Sequence, residues 1–475
     1  MINKIKNMSE TVKASFLFTV CGLLQKGISF IIVPIYTRLM PSADYGQYSV
    51  FFSWYQIIMI FCTLNMWNYL INNGMTEFKD KRKEFIASLQ GLAGIITLGW
   101  FIIYLFFYRS WENRTGLTFS MMIIMFTELL TMPSFEFWCS ANRYEYKATN
   151  VVIATILISI LTPIVAIPLI LHTHDKCLAA IIGKSGVSIA IYLVVAISML
   201  KKNRKLYSKE YWKYALSFSI PLIPHFLSVI VLQSSDRIMI ERMCGASEAA
   251  IYSVAYQAAY ALQIFNTAIL NTFTPYMYRA ISEGRFDRIG KKAFSLTLFI
   301  GGINLVAALL APEVVGLLAP AEYQAAIYII PPVAMTNLLM FMFNLFANIE
   351  YYFKETKLIA LASIISAIVN VILNYIFIDH YGYIAAGYTT LFCYILFSLC
   401  HYFFMRKVSK KHINGKKIFN TRNFLLLAII FIIFAILITK LYASQFMILR
   451  YAFMLVLVIV AIVKRNTIKN MVCEK

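Results

Sequence analysis

The side chains of this 475-residue chain that could do chemistry are few, and most are charges or amides set in long apolar runs. Lys26 stands in LLQKGISF (23–30), Glu128 and Glu136 within 117–138, and the neighbours Asp236 and Arg237 at the end of 214–235. A lysine at mid-depth in hydrocarbon costs about 2.5–3.5 kcal/mol to insert, so it faces a hydrated cavity or a partner, where it can hold an anion. Asp236, Glu128 and Glu136 are the candidates for coupling to an ion; packing against other helices is their plain alternative. Lys184 lies near the outer interface, where its amine can snorkel out. Tyr252, Tyr256 and Tyr260 recur at i, i+4 and i+8, and Asn337, Asn344 and Asn348 share one helical face. Rings can line a path for sugar and amides can bind hydroxyls, but both can equally be packing or glue between helices. His225 follows a Pro-containing turn, where a structural hydrogen bond is the ordinary role.

Catalysis finds no comparable support. The chain has no Walker A sequence, no H-E-x-x-H, no G-x-S-x-G and no paired-carboxylate loop. Its eight cysteines form no C-x-x-C pair, so neither a zinc site nor a disulfide framework is expected, and no cofactor is called for.

The elements that must position these groups are dictated by composition. The chain is 60% hydrophobic and only 14% charged, with a mean hydropathy of +0.71. A soluble domain is nearer 25% charged, so this chain cannot cover itself with a polar surface. Fourteen spans are expected, at roughly 14–37, 46–71, 85–108, 117–138, 149–171, 179–200, 214–235, 249–276, 293–318, 325–348, 357–378, 384–405, 424–442 and 446–463. The fold class is therefore an all-α polytopic membrane protein. Prolines such as Pro34, Pro133, Pro163, Pro221 and Pro275 interrupt several spans and allow bends.

A net charge of +21 invites a nucleic-acid reading, but its distribution answers otherwise. With both termini in the cytoplasm, 33 of the 43 Lys and Arg fall on inner segments and 8 on outer ones. That asymmetry is the positive-inside signature of a plasma-membrane protein. Basic runs such as KKNRK (201–205) then sit beside anionic lipid, and no nucleic-acid partner is expected. On this topology Cys177 and Cys244 face outside.

The sequence also repeats itself. RLMPSADYGQYSV (38–50) aligns without a gap with RMCGASEAAIYSV (242–254), and YEYKAT (144–149) with YYFKET (351–356), at offsets of 204 and 207. Each match falls at the corresponding place in a six-span unit. Two six-helix lobes are therefore expected, over 1–205 and 206–410, with appended helices 13 and 14 over 411–475. Two equivalent bundles leave a seam whose rocking can open it to either side.

At QKGISFIIVPIYTRLMPSADYGQYSV (25–50) and SIPLIPHFLSVIVLQSSDRIMIERMCGASEAAIYSVAYQ (219–257) the chain resembles polysaccharide repeat-unit flippases of the multidrug/oligosaccharidyl-lipid/polysaccharide exporter superfamily. The resemblance implies transfer of an undecaprenyl-pyrophosphate-linked oligosaccharide from the inner to the outer leaflet of a bacterial plasma membrane, for O-antigen, capsule or exopolysaccharide assembly. Its expected partners are that lipid-linked oligosaccharide, membrane lipids, a polysaccharide polymerase and a chain-length regulator. A dense anion and its sugars need a wet, cationic passage. Lys26 is the first choice to meet the pyrophosphate or an acidic sugar. Arg38 and Arg242, at the equivalent outer elbows, are candidates to receive it, and Arg237, Tyr252, Tyr256 and Asn344 complete the substrate-binding set. An ion-coupled multidrug exporter and a lipid II flippase share the architecture and remain the alternatives. A polymerase or ligase is disfavoured by the short outer loops.

Overall fold

A backbone amide in hydrocarbon has no water to turn to, so apolar runs of this length close their hydrogen bonds within themselves. The computed structural model, which describes residues 10–463, accordingly contains α-helices and short 3-10 turns, and no strand among the described residues. Cys473 and both termini, assigned above to the cytoplasmic side, lie outside the described residues.

The chain divides into two compact units between Ser234 and Ser235. The first holds α1 (Glu10–Leu39), α2 (Ser42–Thr63), α3 (Leu70–Glu77), α4 (Arg82–Phe106), α5 (Tyr108–Thr115), α6 (Phe119–Tyr144), α7 (Ala148–His172), α8 (Lys176–Lys202), α9 (Lys209–Ser219) and the first half of α10 (Ile223–Met243). The second holds the rest of α10, α11 (Ala246–Tyr260), α12 (Gln263–Ser282), α13 (Phe286–Leu309), α14 (Ala311–Leu318), α15 (Ile330–Tyr352), α16 (Thr356–Tyr381), α17 (Ala385–His412), α18 (Thr421–Ile438) and α19 (Met447–Val463).

Ten helical stretches are long and apolar enough to cross a membrane, or eleven if the bent pair α5 and α6 is one span. Fourteen were expected, and the shortfall has local causes. The eighth expected span is broken at Ala261–Leu262 into α11 and α12. The fourth carries the polar load of Glu128, Glu136 and Arg143, and its helix meets α5 at 98°. In the second, α2 begins with Ser42, Asp44 and Gln47, and the fourteenth is met among the described residues by a shorter apolar helix, Ser444–Val456.

Both elbows of the first echo are two-residue breaks. Pro41, at φ −55°, stops the chain before Ser42; Gly245, at φ +127°, does so before Ala246, in a region where a side chain would be strained. Each copy of the second echo also turns through one left-handed residue, Tyr146 at φ 58° and Lys354 at φ 61°, one position out of step with the sequence alignment. Pro34, Pro133, Pro163, Pro168 and Pro275 lie inside helices, whereas Pro331 and Pro332 occupy the first turn of α15, where no amide partner is lost.

Packing in each unit depends on small residues. In the first, α8 crosses α7 at Gly183, where an added Cβ would stand 2.4 Å from the Cα of Ala166. Gly183→Val is expected to force these helices apart and lower the melting temperature of the purified protein, an overpacking cost of about 1–3 kcal/mol or more. An unchanged melting curve would show that the crossing has room to spare. In the second unit α15 is buried along most of its length, and packs against α11, α12, α13, α17 and α18. Gly301 of α13 lies against the ring of Phe431, which seats α18 on this unit. Arg450 of α19 is also drawn in: it is buried and paired with Glu313, which accepts a further bond from the Tyr451 hydroxyl at 2.5 Å.

Candidate functional site

The second unit builds its densest polar cluster around a single carboxylate. Asp236, on α10 and 1% exposed, accepts the Tyr252 hydroxyl (2.5 Å) and the Thr390 hydroxyl (2.8 Å) on one oxygen, and the Asn374 amide (2.6 Å) on the other. Thr389 donates to the Asn374 carbonyl oxygen. Asn370 accepts from Ser235 at 3.2 Å and donates to Thr390 at 3.3 Å. All seven side chains are buried. Asn370 and Asn374 are one turn apart on α16, and Thr389 and Thr390 sit in the second turn of α17, so four helices converge on the acid.

The chemistry is that of a hard-cation or proton site. One negative charge faces amide carbonyls and hydroxyls, and each of those oxygens can rotate from hydrogen bonding to ligation. Arg237, next in sequence, lies over the Tyr256 ring at 4.4 Å, and Tyr256 stacks on Tyr260 at 5.7 Å. The tyrosine stripe of α11 therefore serves two ends: Tyr252 holds the acid and Tyr256 carries the guanidinium.

The amides of α15 are divided in the same manner. Asn337 is consumed structurally: it accepts from Asn266 at 2.8 Å and donates to Asn304 at 3.0 Å, tying α12, α15 and α13 together. Asn344 instead lines a polar cleft of about 550 Å³ between α12 and α15, and Asn348, bonded to Thr274 at 3.3 Å, closes it. An apolar groove of about 250 Å³ runs on the other side of α15, lined by Leu339, Met342 and Phe346 together with side chains of α17 and α18. Deeper in this unit, His401 and Glu350 form a fully buried pair, Nδ1 to Oε1 2.8 Å, with the imidazole stacked on Phe343.

The first unit holds the other candidates. Lys26 is half-buried near the middle of α1. Glu128, buried on α6, faces Ser185, Lys184 and Tyr55. Lys184 does not reach for the outer interface as expected: its ammonium lies 3.3 Å above the Phe52 ring, because Glu128 and that ring offer it a nearer partner than water. Glu136 is two turns further along α6, in the field of Arg143. Arg38 and Arg242 are both exposed at the elbows; Arg38 donates to the Pro34 carbonyl at 2.9 Å, and Arg242 lies 3.7 Å from Glu241.

Sequence reasoning selected Asp236, Arg237, Tyr252 and Tyr256 but missed Asn370, Asn374, Thr389 and Thr390. A signal existed: two asparagines at helical spacing in an apolar run are costly unless they face a partner. Glu350 and His401 were also missed, the first just beyond the tenth expected span and the second within the twelfth.

A helical plan of this kind is found in known structures. The chain is similar to a solved lipid II flippase MurJ in an inward closed conformation, with a TM-score of 0.70 and 14% identity, over 96% of this chain and 99% of that one. It is also similar to an inward-facing multidrug resistance MATE family transporter, with a TM-score of 0.61 and 15% identity, over 82% and 96%. Two Haemophilus influenzae proteins share its sequence: Lsg locus putative protein 1 is 21% identical over 76% of this chain and 90% of its own length, and an uncharacterized membrane protein is 22% identical over 75% and 88%. Fold and site together define a multi-pass membrane transporter of the multidrug/oligosaccharidyl-lipid/polysaccharide exporter superfamily, and a MatE match over residues 221–376 agrees. Within that class the chain belongs to the polysaccharide biosynthesis protein family, which matches residues 11–281.

Proposed function

We propose that the chain flips an undecaprenyl-pyrophosphate-linked oligosaccharide repeat unit from the inner to the outer leaflet of a bacterial plasma membrane by alternating access, supplying a polysaccharide polymerase and its chain-length regulator. It does so without catalysing a covalent step. The observation that carries this reading is the two-sidedness of α15. At 100° per residue, Leu339, Met342 and Phe346 point into the apolar groove, while Met340, Asn344 and Asn348 point into the polar cleft. A helix with a dry side and a hydroxyl-binding side suits a cargo that is itself half lipid and half sugar. Family membership supports the polysaccharide pathway, and Asp236 with its amides and hydroxyls is the site where a cation or proton drives the cycle.

Deleting the gene tests the assignment. Loss of surface polysaccharide with lipid-linked units trapped in the inner leaflet is expected. Drug sensitivity alone would favour a multidrug exporter, lysis a lipid II flippase, and unpolymerised units already outside a polymerase. In the same cells Lys26→Gln is expected to lower export several-fold, the scale of a lost charge-assisted contact, while Lys26→Arg keeps much of it. Normal surface polysaccharide from Lys26→Gln at matched protein levels would rule out Lys26 as the anion contact.

A further inference from the structure

We infer that the cleft between α12 and α15 is a glycan-reading subsite that selects uncharged, hydroxyl-rich sugar residues; the inference rests on the flippase reading and specifies what that cargo carries. Gln263, Thr267, Asn271 and Thr274 recur along α12 at i, i+4, i+8 and i+11, a polar stripe on one face of a helix in the second unit. Hydrocarbon is a poor match for that face: Thr267 donates back to the Gln263 carbonyl at 2.9 Å, but the Asn271 amide turned to lipid would keep unsatisfied hydrogen bonds. Helix-to-helix glue accounts for part of the polar set only. Asn266 is buried and bonded to Asn337, and Thr274 is bonded to Asn348, but Thr267 and Asn271 are exposed on the cleft.

The volume of about 550 Å³ lies in the range of small-molecule sites, about 300–1,000 Å³. Its lining settles the class of ligand. Four asparagines and a glutamine are among its lining residues; Asn266 is spent on Asn337 and Asn344 also donates to the Met340 carbonyl at 2.7 Å, but side-chain amides pair donor with acceptor, the complement of a vicinal diol, and no Lys, Arg, His, Asp or Glu is among the lining residues. A carboxylated or phosphorylated sugar placed there would give up its hydration without gaining a counter-charge, so the cleft discriminates against it. The charge of the cargo is left to be met elsewhere.

The test is direct binding to the full-length protein in nanodiscs, read by native mass spectrometry, with three probes: a polyprenyl pyrophosphate without sugar, the same lipid bearing a neutral disaccharide, and the same lipid bearing a hexuronic-acid disaccharide. The expected result is about tenfold tighter binding of the neutral glycolipid than of the other two. Asn271→Leu and Asn344→Leu should each erase most of that preference without changing affinity for the sugar-free lipid; Asn271→Gln should retain it. Asn271→Leu places an apolar side chain at an exposed position, and Thr267→Val is a near-isosteric second variant, so the outcome does not depend on a protein that fails to fold. If all three lipids bind alike, or the variants keep the preference, the subsite is refuted while the flippase reading stands. If the wild-type protein binds none of them, both fall together.

Discussion

Asp236→Asn should reduce export by about a hundredfold or more in cells that depend on this gene, at wild-type levels of membrane-inserted protein. The substitution keeps the shape of the side chain and removes its charge. Tyr252, Thr390 and Asn374 all donate to the carboxylate, and an amide replaces one acceptor oxygen with a donor, so at least one of them faces a group that cannot receive it. Each buried donor left without a partner costs about 1–3 kcal/mol. The electrostatic term matters more. A cation entering a dry site lined by amides and hydroxyls is held chiefly by the one negative charge among them, and with that charge gone the site has little differential affinity with which to shift a conformational equilibrium. A melting-temperature series identifies the ion. In the wild type, a rise with sodium but not choline assigns sodium; a rise set by pH alone assigns a proton. Either response should be flat in Asp236→Asn. Normal export by this variant would show that the energy enters elsewhere, with Glu128 the next acid to examine.

The second large effect concerns stability. His401→Leu should destabilise the protein by about 3–5 kcal/mol, the cost of stranding one member of a buried polar pair. Glu350 and His401 are fully buried and have one contact between them; Glu350 Oε2 and His401 Nε2 have no hydrogen-bond partner. Removing the imidazole, which packs on Phe343 and Phe397, leaves the buried Glu350 carboxyl group with nothing to bond. The double variant Glu350→Leu/His401→Leu is expected to recover most of the loss, because two apolar side chains of suitable volume leave nothing unsatisfied. Heat-unfolding curves for the four members of the cycle decide the matter. Additive losses would mean that the two residues contribute independently and that the pair is incidental.

Several features were legible before any coordinates. Long apolar runs specify helices because no other structure satisfies the backbone in lipid, and the asymmetry of Lys and Arg specifies an orientation. The elbows at Pro41 and Gly245 are readable from the echo, since the fixed φ of proline and the freedom of glycine at positive φ both end a helix. A lone acid such as Asp236 in an apolar setting declares itself by its cost.

Other features could not be read in this way. Lys184, expected to snorkel, lies over Phe52; Arg450, within the fourteenth expected span, is buried against Glu313. The eighth expected span is two helices, and Asn374 and Thr390 bond Asp236 from 138 and 154 positions away in sequence, with Thr389 bonded to Asn374 and Asn370 to Thr390 behind them. The reason is rotational. In a soluble helix the polar side faces water and the azimuth follows from the pattern. In a membrane helix such as α16 both lipid and neighbouring helices are apolar, so hydrophobicity fixes the depth of each residue and leaves its bearing open. Bearing is decided by which small residues let helices approach, as at Gly183 and Gly301, and by which polar groups find one another when they do. Composition and order thus determined that this chain crosses a membrane and where its elbows turn; tertiary packing alone decided which oxygens surround Asp236 and which face of α15 is dry.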